Sequence, residues 1–337
     1  MILDCLHVSV KFVLLGLILV LAVSYNLPKF IGKTCWNADA ATSITNISLS
    51  ANNPMSLFLT KNNTWYVVLD GYAQIFSGNE GSIHSTTSAS GAFSVFVTGD
   101  DNVYTSDSGG NRVNMWSMNL TSSQPVMLIG NDCRDLFVDT NSTLYCCLDN
   151  MHQVVAKSLL DPKNALTRVA GTGCFGSQSR TLTQPSGIFV DFNFTLYVAD
   201  SGNNRIQRFT LGQRNATTIA GDEATGTISL NNPVDVVLDG DGYIFIVDSG
   251  NNRVVGSGPD GFRCVAGCIN GYGSASDQLL KPMSMSFDSN GNIWVADLGN
   301  HRIQKFFLKT NCSRGTFLHI PFLHEEFLNK VFVHTHK

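Results

Sequence analysis

Four segments of the chain place an aspartate five residues before an arginine, among hydroxyl, glycine and asparagine residues. The clearest example is YVADSGNNRI, from Tyr197 to Ile206. A carboxylate, two amides and a guanidinium in so short a stretch can bind a cation, transfer a proton or hold an anion. They can equally form a structural ion pair. The distribution of the motif along the chain distinguishes these two uses.

The motif belongs to a repeat. Six segments share an aromatic residue three positions before a key position and an aliphatic residue six positions after it. Successive key positions are 38 to 52 residues apart. Repeats of this length made of short strands are typical of β-propeller blades. The key positions are Leu69, Asp107, Leu148, Asp200, Asp248 and Asp297.

Each repeat predicts four strands. In the repeat that begins at Pro185, SGIFV is a short apolar inner strand, and TLYVAD follows after a tight turn. RIQRFTL alternates between apolar and polar residues, and ATTIAG ends the repeat as the outer strand. No segment of useful length has a helical period, so the chain is predicted to be all-β.

The acid and the base of the motif appear and disappear together. Repeats with Leu69 or Leu148 at the key position have Gln74 or Gln153 five residues later. Loss of one partner of a buried ion pair leaves an uncompensated charge, so this pattern predicts an ion pair in each of the other blades. A catalytic group would occur once, so we interpret the motif as scaffold. The predicted pairs are Asp107–Arg112, Asp200–Arg205, Asp248–Arg253 and Asp297–Arg302, and the asparagines expected to bond the adjacent turn are Asn111, Asn203, Asn251 and Asn300.

The segments LYVADSGNNRIQRF, IFIVDSGNNRVV and IWVADLGNHRIQKF resemble the NHL-repeat family of β-propellers. The resemblance extends over about Asn46–Leu308. It implies a closed propeller, and six copies imply six four-stranded antiparallel blades. The last repeat lacks an outer strand of its own. The segment Ala41–Asn46 matches the outer-strand pattern and is predicted to complete that blade, which would remove two free sheet edges.

The N-terminus is predicted to be a targeting segment. Lys11 precedes twelve apolar residues, Phe12–Val23, which are too few for an ordinary membrane span and typical of a signal peptide. Cleavage after Ser24 predicts a secreted protein, whereas an uncleaved signal anchor would leave a type II membrane protein with the propeller outside. The predicted organisation is 1–24 signal peptide, 25–40 lead-in, 41–312 six-bladed propeller and 313–337 unassigned tail.

The cysteines predict disulfides. Eight remain after the signal segment, and an even number favours pairing in an oxidising compartment. Cys35 and Cys312 flank the two strands that close the ring, so we expect them to pair. A short bridge between Cys264 and Cys268 is the second candidate. The sequence leaves open the pairing among Cys133, Cys146, Cys147 and Cys174.

Seven N-x-S/T sequons predict glycosylation. Three of them stand at the same place in their repeats, the hairpin tip between the first and second strands. Glycans at these tips would keep that edge away from tight contacts, so a partner should use another surface or recognise the glycans. The candidate sites are Asn46, Asn62, Asn119, Asn141, Asn193, Asn215 and Asn311.

Two enzyme classes related to the NHL fold place a metal on the propeller axis. The zinc class needs several inner-strand histidines, but outside the signal and tail only His84, His152 and His301 remain. The calcium class needs axial acids, for which the inner strands offer Asp135 and Asp235. We predict no catalytic, cofactor-binding or metal-binding residues, with axial calcium as the alternative. The turns DGDGY and DSNGN lack the further acids of a calcium loop.

The net charge of −4 gives no reason to expect nucleic acid as a partner. The predicted function is a non-catalytic extracellular binding or scaffold module that acts through loops on a propeller face. Its partner would be an extracellular protein or glycan, with a membrane involved only if the N-terminal segment stays as an anchor. The alternative is a calcium- or zinc-dependent lyase or hydrolase with its site at the propeller axis.

Overall fold

The computed structural model describes residues 27–29, 34–43, 53–69, 74–79, 82–88, 91–117, 120–161, 163, 165–268 and 271–310. Within these ranges the chain is all-β except for four single-turn 3₁₀ helices. None of the described helices is long and apolar enough to cross a bilayer. The 3₁₀ helices are Asp149–Met151, Ser201–Asn203, Ser249–Asn251 and Leu298–Asn300.

The strands of the first three blades follow one another along the chain. Blade 1 contains β2 (Pro54–Leu59), β3 (Trp65–Leu69), β4 (Gln74–Asn79) and β5 (Ser82–Ser88). Blade 2 contains β6 (Val95–Val97), β7 (Val103–Asp107), β8 (Arg112–Trp116) and β9 (Ser123–Leu128). Blade 3 contains β10 (Asp135–Val138), β11 (Thr143–Leu148), β12 (Gln153–Ser158) and β13 (Thr167–Gly171).

The remaining blades continue this order until the last strand. Blade 4 contains β14 (Ile188–Val190), β15 (Leu196–Asp200), β16 (Arg205–Phe209) and β17 (Thr217–Gly221). Blade 5 contains β18 (Pro233–Leu238), β19 (Ile244–Asp248), β20 (Arg253–Gly256) and β21 (Arg263–Ala266). Blade 6 contains β22 (Pro282–Phe287), β23 (Ile293–Asp297), β24 (Arg302–Thr310) and, from the start of the chain, β1 (Thr34–Ser43).

The described strands form six four-stranded antiparallel sheets. The strands of each sheet follow the order of the chain, except that the outer strand of blade 6 is β1. The predicted all-β propeller with four-stranded antiparallel blades is confirmed. The second strands, such as β15 and β23, are buried along their whole length. This explains why they read as apolar runs rather than alternating patterns, because neighbouring blades cover both of their faces.

The inner strands contact one another in a closed cycle, from β2 through β6, β10, β14, β18 and β22 back to β2. Side chains on one inner strand accept backbone N–H groups from the next blade. Ser284 Oγ of blade 6 accepts from the Leu57 amide of blade 1 at 3.4 Å, and Ser286 Oγ accepts from Leu59 at 3.2 Å. Residues 227 positions apart in the sequence are therefore joined at the point where the cycle closes.

The N-terminal strand completes blade 6 by pairing with β24. The pairing begins at Thr34 opposite Thr310, so the closing strand starts earlier than the predicted segment Ala41–Asn46 and uses part of the predicted lead-in. The physical reason is that β24 is longer than the other third strands and offers backbone partners up to Thr310. The backbone of Cys35 lies opposite Lys309, whereas Cys312 lies outside the described residues. The Cys35–Cys312 pairing stays a prediction.

An arc of aromatic rings lines the axis in four of the six blades. Phe58, Phe96, Phe137 and Phe189 occupy the same position on four consecutive inner strands. Successive ring centroids are 4.9, 4.7 and 5.1 Å apart, in tilted arrangements that suit the quadrupoles of aromatic rings. The equivalent residues of blades 5 and 6 are Val237 and Ser286. The arc therefore joins the first four blades through direct side-chain contact.

Phe96 contacts a ring on each side, so Phe96→Ala should leave a cavity in the centre of the arc. We expect the free energy of unfolding to fall by about 3–5 kcal/mol. The matched control is Phe192→Ala, whose side chain is 59% exposed and should cost less than about 0.5 kcal/mol. Urea unfolding of both variants measures the difference, and equal losses would contradict the role of the arc.

Candidate functional site

The propeller has two ends that differ in their connections. The hairpin face carries the turns between first and second strands and between third and fourth strands. The turn face carries the turns between second and third strands and the connections from one blade to the next. Asn63 and Ser289, from the hairpins of blades 1 and 6, bond each other on the hairpin face. On the turn face, Asn204 of blade 4 accepts from the Asn232 amide, which leads into blade 5.

The structure brings each predicted aspartate and arginine together at the turn face. In all four motif-bearing blades the arginine Nε lies 2.8 Å from the aspartate Oδ2, between residues that face each other across the second and third strands. The exposed fraction of the side chains differs, from 1% for Arg205 to 41% for Arg112. The pairs are Asp107–Arg112, Asp200–Arg205, Asp248–Arg253 and Asp297–Arg302.

The second carboxylate oxygen holds the connection that enters the same blade. Oδ1 of Asp200, Asp248 and Asp297 accepts a backbone N–H at 2.7 Å in each case. The donors lie a few residues before the inner strand and are Thr183, Asn231 and Leu280. One carboxylate therefore joins a β-turn and a blade-to-blade connection through charge-assisted hydrogen bonds.

The guanidinium reaches carbonyl oxygens of the same connection. Arg302 donates to the carbonyls of Ser274, Ala275 and Gln278, at 2.8 to 2.9 Å. Arg205 donates to two carbonyls of its own connection and also pairs with Glu223. The planar guanidinium can serve several acceptors at once. The ion pair therefore holds the connection in two ways. The aspartate accepts one of its backbone N–H groups, and the arginine donates to its carbonyl groups.

The asparagines of the motif add further hydrogen bonds between the aspartate and the connection. Asn203 Nδ2 donates to Asp200 Oδ2 and to the Gly176 carbonyl, both at 2.8 Å. Asn300 makes the equivalent two bonds in blade 6. We expected these asparagines to bond the backbone of the adjacent turn, whereas these bonds go to the aspartate carboxylate and to a carbonyl of the connection that enters the blade.

Asn111 is a correction to the sequence analysis. It corresponds to Asn204 rather than to Asn203, and Gly110 stands where Asn203 would be. Gly110 donates its backbone N–H to Asp107 Oδ1 at 2.9 Å. Asn114 replaces the missing amide by donating to Asp107 Oδ2 at 3.2 Å. The cause of the misalignment is the Gly-Gly pair in this repeat.

The last residue of each turn links neighbouring blades, a role that the sequence analysis missed. His152, Asn204, Asn252 and His301 all have left-handed backbone conformations, with φ between 51° and 56°. In three of these turns the side chain reaches the next blade. It accepts a backbone N–H there, in the pairs His152–Gln184, Asn204–Asn232 and Asn252–Lys281. The signal available in the sequence was the second asparagine of NNR.

Burial raises the pKa values of Asp200 and Asp297, and the hydrogen bonds from the connection and the arginine lower them only in part. All their carboxylate oxygens are occupied by protein donors. These side chains are buried and both of their oxygens bind protein donors, so their role is structural.

The axial mouth on the turn face is the other concentration of polar groups. Ser56, Ser94, Asp135, Gly187, Asp235 and Ser284 occupy one equivalent position on the six inner strands. Four of them, Ser56, Asp135, Asp235 and Ser284, line a narrow axial cavity of about 70 Å³. A Cβ on Gly187 would lie 2.6 Å from Asp235 Cα, so glycine is required for the close approach of blades 4 and 5.

The two axial aspartates accept backbone N–H groups from neighbouring blades. Asp135 Oδ2 accepts from the Ile188 amide of blade 4 at 2.8 Å, and Ser94 of blade 2 donates to Oδ1 at 2.6 Å. Asp235 accepts from the Met285 amide of blade 6 at 2.9 Å. Burial, with the charge of Asp135, raises the pKa of Asp235 to about 7. Burial also raises the pKa of Asp135.

The donor set does not fit a metal well. Among the described residues, no group of three or more histidine, cysteine or acidic side chains could hold a metal ion. Asp135 and Asp235 are two carboxylates that already accept protein hydrogen bonds, and calcium takes six to eight oxygen ligands. His152 and His301 lie in the turns and not on the axis.

The described cysteines form two bridges. Cys264 and Cys268 are joined, as the sequence suggested. Cys133 pairs with Cys146, which resolves part of the choice that the sequence left open. Among the described cysteines, Cys147 is a buried thiol and Cys174 an exposed one. Burial raises the pKa of the Cys147 thiol, so it is a poor nucleophile.

The described sequons all lie on the hairpin face. Asn62, Asn141 and Asn193 are exposed at hairpin tips, and Asn215 is exposed in the loop between the third and fourth strands of blade 4. Asn46, Asn119 and Asn311 lie outside the described residues. Glycosylation of these sites stays a prediction.

Exposed apolar side chains occur on both faces. Phe175, 75% exposed, and Tyr272, 71% exposed, lie in blade connections of the turn face, with Met151 in a turn of blade 3. Leu160, Phe192 and Leu211 are exposed in loops of the hairpin face. Apolar exposure alone therefore does not select a binding face, whereas the positions of the sequons do distinguish the two.

Comparison with known proteins agrees with this architecture. Residues 279–306, which contain the Asp297–Arg302 motif, match the family model of the NHL repeat. The chain is a β-propeller that contains an NHL repeat. A sequence comparison with curated proteins finds no match.

Three solved structures are similar to this propeller. Virginiamycin B lyase from Staphylococcus aureus is 12% identical, with a TM-score of 0.57, covering 83% of this chain and 100% of that one. A structural genomics protein of unknown function from Bacteroides thetaiotaomicron is 15% identical, with a TM-score of 0.63 and coverages of 86% and 75%. An auxiliary nutrient binding protein from the same organism is 12% identical, with a TM-score of 0.61 and coverages of 85% and 76%. At these identities the likeness shows the fold alone.

The ion pair in blade 4 can be tested with the replacement that blade 3 itself carries. Asp200→Leu leaves the buried Arg205 with only the half-exposed Glu223 as its counter-ion and should lower the free energy of unfolding by about 3 kcal/mol. Asp200→Leu with Arg205→Gln reproduces the Leu148 and Gln153 of blade 3. Both variants lose the same acceptor for Thr183, so the double variant should be the more stable of the two.

Urea unfolding at neutral pH measures this difference. Asp107→Leu is the matched control, because Arg112 is 41% exposed and water can solvate its charge. Its loss should be clearly smaller than that of Asp200→Leu. A double variant no more stable than Asp200→Leu would show that the stranded arginine is not the source of the loss.

Proposed function

We propose that this chain is a secreted, glycosylated and non-catalytic binding or scaffold module, whose six-bladed propeller presents its turn face to an extracellular protein or glycan. The observation that carries the proposal is the contrast between the two faces. The turn face has connections held by buried ion pairs and no described sequon, whereas the hairpin face has four exposed sequons.

Rigid loops support a binding role. A partner that binds loops already fixed in one conformation loses less conformational entropy on association. In blades 4, 5 and 6 the connections are held by the aspartate Oδ1, and a link from the preceding blade restrains the residue next to it. Propeller function generally depends on such loops rather than on the fold.

The turn face also offers apolar anchors. Phe175 and Tyr272 expose most of their surface on connections of blades 4 and 6. Aromatic side chains are enriched among the residues that dominate binding energy, and they stack on sugars as well as on protein groups. The four hairpin-face sequons would place bulky glycans on the opposite end and leave these anchors accessible.

A metal-dependent lyase or hydrolase is the second candidate. The observation in its favour is the pair of axial acids, Asp135 and Asp235, at the mouth of the cavity. The similarity to virginiamycin B lyase supports the fold but not the chemistry. This candidate needs further ligands, and the described residues place no third histidine, cysteine or acidic side chain beside these two.

The binding proposal is tested with a glycan placed on the turn face. Ser177 is exposed in the connection to blade 4, and Ser177→Asn makes residues 177–179 an N-x-S sequon. The secreted protein is screened against extracellular domains and glycans, and each binder is remeasured with this variant. We expect the added glycan to abolish binding by steric exclusion.

Asn193→Gln, which removes a sequon from the hairpin face, is the control and should bind as the original protein does. The mass of the secreted protein should show a start at Tyr25 and a shift on glycosidase treatment. Binding that survives Ser177→Asn but is lost with a hairpin-face change would contradict the choice of face. One tightly held calcium or zinc ion per chain, with turnover of a lactone or ester, would favour the enzyme instead.

A further inference from the structure

Four hairpins of the propeller begin with an aspartate that organises the turn. In each, Oδ1 accepts the backbone N–H groups of the residues two and four positions later, at 2.8 to 3.0 Å. This is the structure of the DGDGY and DSNGN stretches, which are tight turns as the sequence predicted. The four aspartates are Asp139, Asp191, Asp239 and Asp288.

In three of these hairpins an aromatic residue six positions later donates a hydrogen bond to the other carboxylate oxygen. Tyr145 Oη donates to Asp139 Oδ2 at 3.0 Å, and Tyr197 Oη donates to Asp191 Oδ2 at 3.3 Å. Trp294 Nε1 donates to Asp288 Oδ2 at 3.0 Å. The repeated aromatic position of the sequence therefore has a polar role in addition to packing.

Blade 5 breaks this rule. Phe245 stands where the other blades have tyrosine or tryptophan, and it has no group to donate. Asp239 is 2% exposed, and its Oδ2 has no hydrogen-bond partner among the described residues. Burial, with the nearby charge of Asp241, raises the pKa of Asp239 to about 7. An ionised carboxylate in this place would be a buried charge that is only half satisfied.

A segment of the N-terminal chain lies against this hairpin. The Gly240 amide donates to the Pro28 carbonyl at 2.9 Å, and Lys29 Nζ lies 3.2 Å from Asp241 Oδ1. A Cβ on Gly240 would come within 2.8 Å of both the Leu27 carbonyl oxygen and Lys29 Cγ, so contact between the two backbones is close. We call residues 27–29 the strap.

We propose that the hairpin 239–243 and the strap form a pH-sensitive element, closed while Asp239 is protonated and loosened when it ionises. The orphaned oxygen gives the element its chemistry, because a protonated Oδ2 carries no charge to be solvated. The strap extends the effect beyond the hairpin. Its contacts with the hairpin hold the N-terminal chain just before β1, which belongs to blade 6. This inference does not depend on the function proposed above.

The direction of the effect follows from proton linkage. In the unfolded chain an aspartate loses its proton near pH 4, whereas in the folded protein Asp239 keeps it up to about pH 7. Between these values the folded state binds more protons, so this group lowers stability as pH rises. The charged groups beside it are Asp241 in the same turn and Lys29 in the strap, while Phe245 and the Phe287 ring packed on it are uncharged.

The test compares two variants with the original protein in urea unfolding from pH 4 to pH 8. Asp239→Asn cannot ionise, so its folding constant relative to the original should rise by about 1,000-fold across this range, about tenfold for each pH unit below 7. Phe245→Tyr supplies the missing donor at the position used by Tyr145 and Tyr197. It should remove most of the pH dependence by stabilising the ionised form.

Three further measurements keep the test decisive if Phe245→Tyr does not fold. Titration of the Asp239 carboxyl carbon by NMR should show a midpoint near pH 7, and the Gly240 amide, corrected for intrinsic rate, should exchange faster above that pH. Tyr145→Phe, which removes the donor in blade 3, should transfer the same pH dependence to Asp139. A midpoint near pH 4, or a stability ratio constant within twofold from pH 4 to 8, would overturn the proposal.

Discussion

The architecture depends on a carboxylate that is buried and fully hydrogen-bonded at the turn between the second and third strands. In blade 4, Asp200 binds Arg205 with one oxygen and the Thr183 amide with the other. A charge can remain in such a place only if it is paired and hydrogen-bonded, because desolvation is expensive. This requirement explains why acid and base are kept or lost together in the repeats.

The same requirement extends from the strands to the loops. The donors that satisfy the carboxylate, and the carbonyls that satisfy the guanidinium, belong to the connection that enters the blade. A repeat motif that looks like an active site is therefore the device that fixes one face of the propeller. The polar groups of the axis are used in a similar way, since Asp135 and Asp235 accept backbone amides from the neighbouring blades.

The sequence predicted what is local and repeated. Strand order, blade composition and the aspartate–arginine pairs all follow from residues a few positions apart, copied several times. It could not predict contacts between blades, such as Ser284 with Leu57 or His152 with Gln184, because the fold alone brings those residues together. The role of Tyr145 was missed for a related reason: its acceptor, Asp139, lies across a hairpin and was not part of the motif. The cysteine choice was open because Cys146 and Cys147 are adjacent, and only the sheet geometry brings Cys133 to Cys146.

Native-state hydrogen exchange of three backbone amides tests most directly whether the buried aspartates hold the connections. Thr183, Asn231 and Leu280 lie in connections that would be mobile loops if the ion pairs did not hold them. The account predicts that these amides exchange as slowly as those of the adjoining strands, because exchange requires the buried carboxylate to release them. Exchange at rates typical of an unstructured chain would contradict it, and would mean that the repeated motif does not organise the turn face.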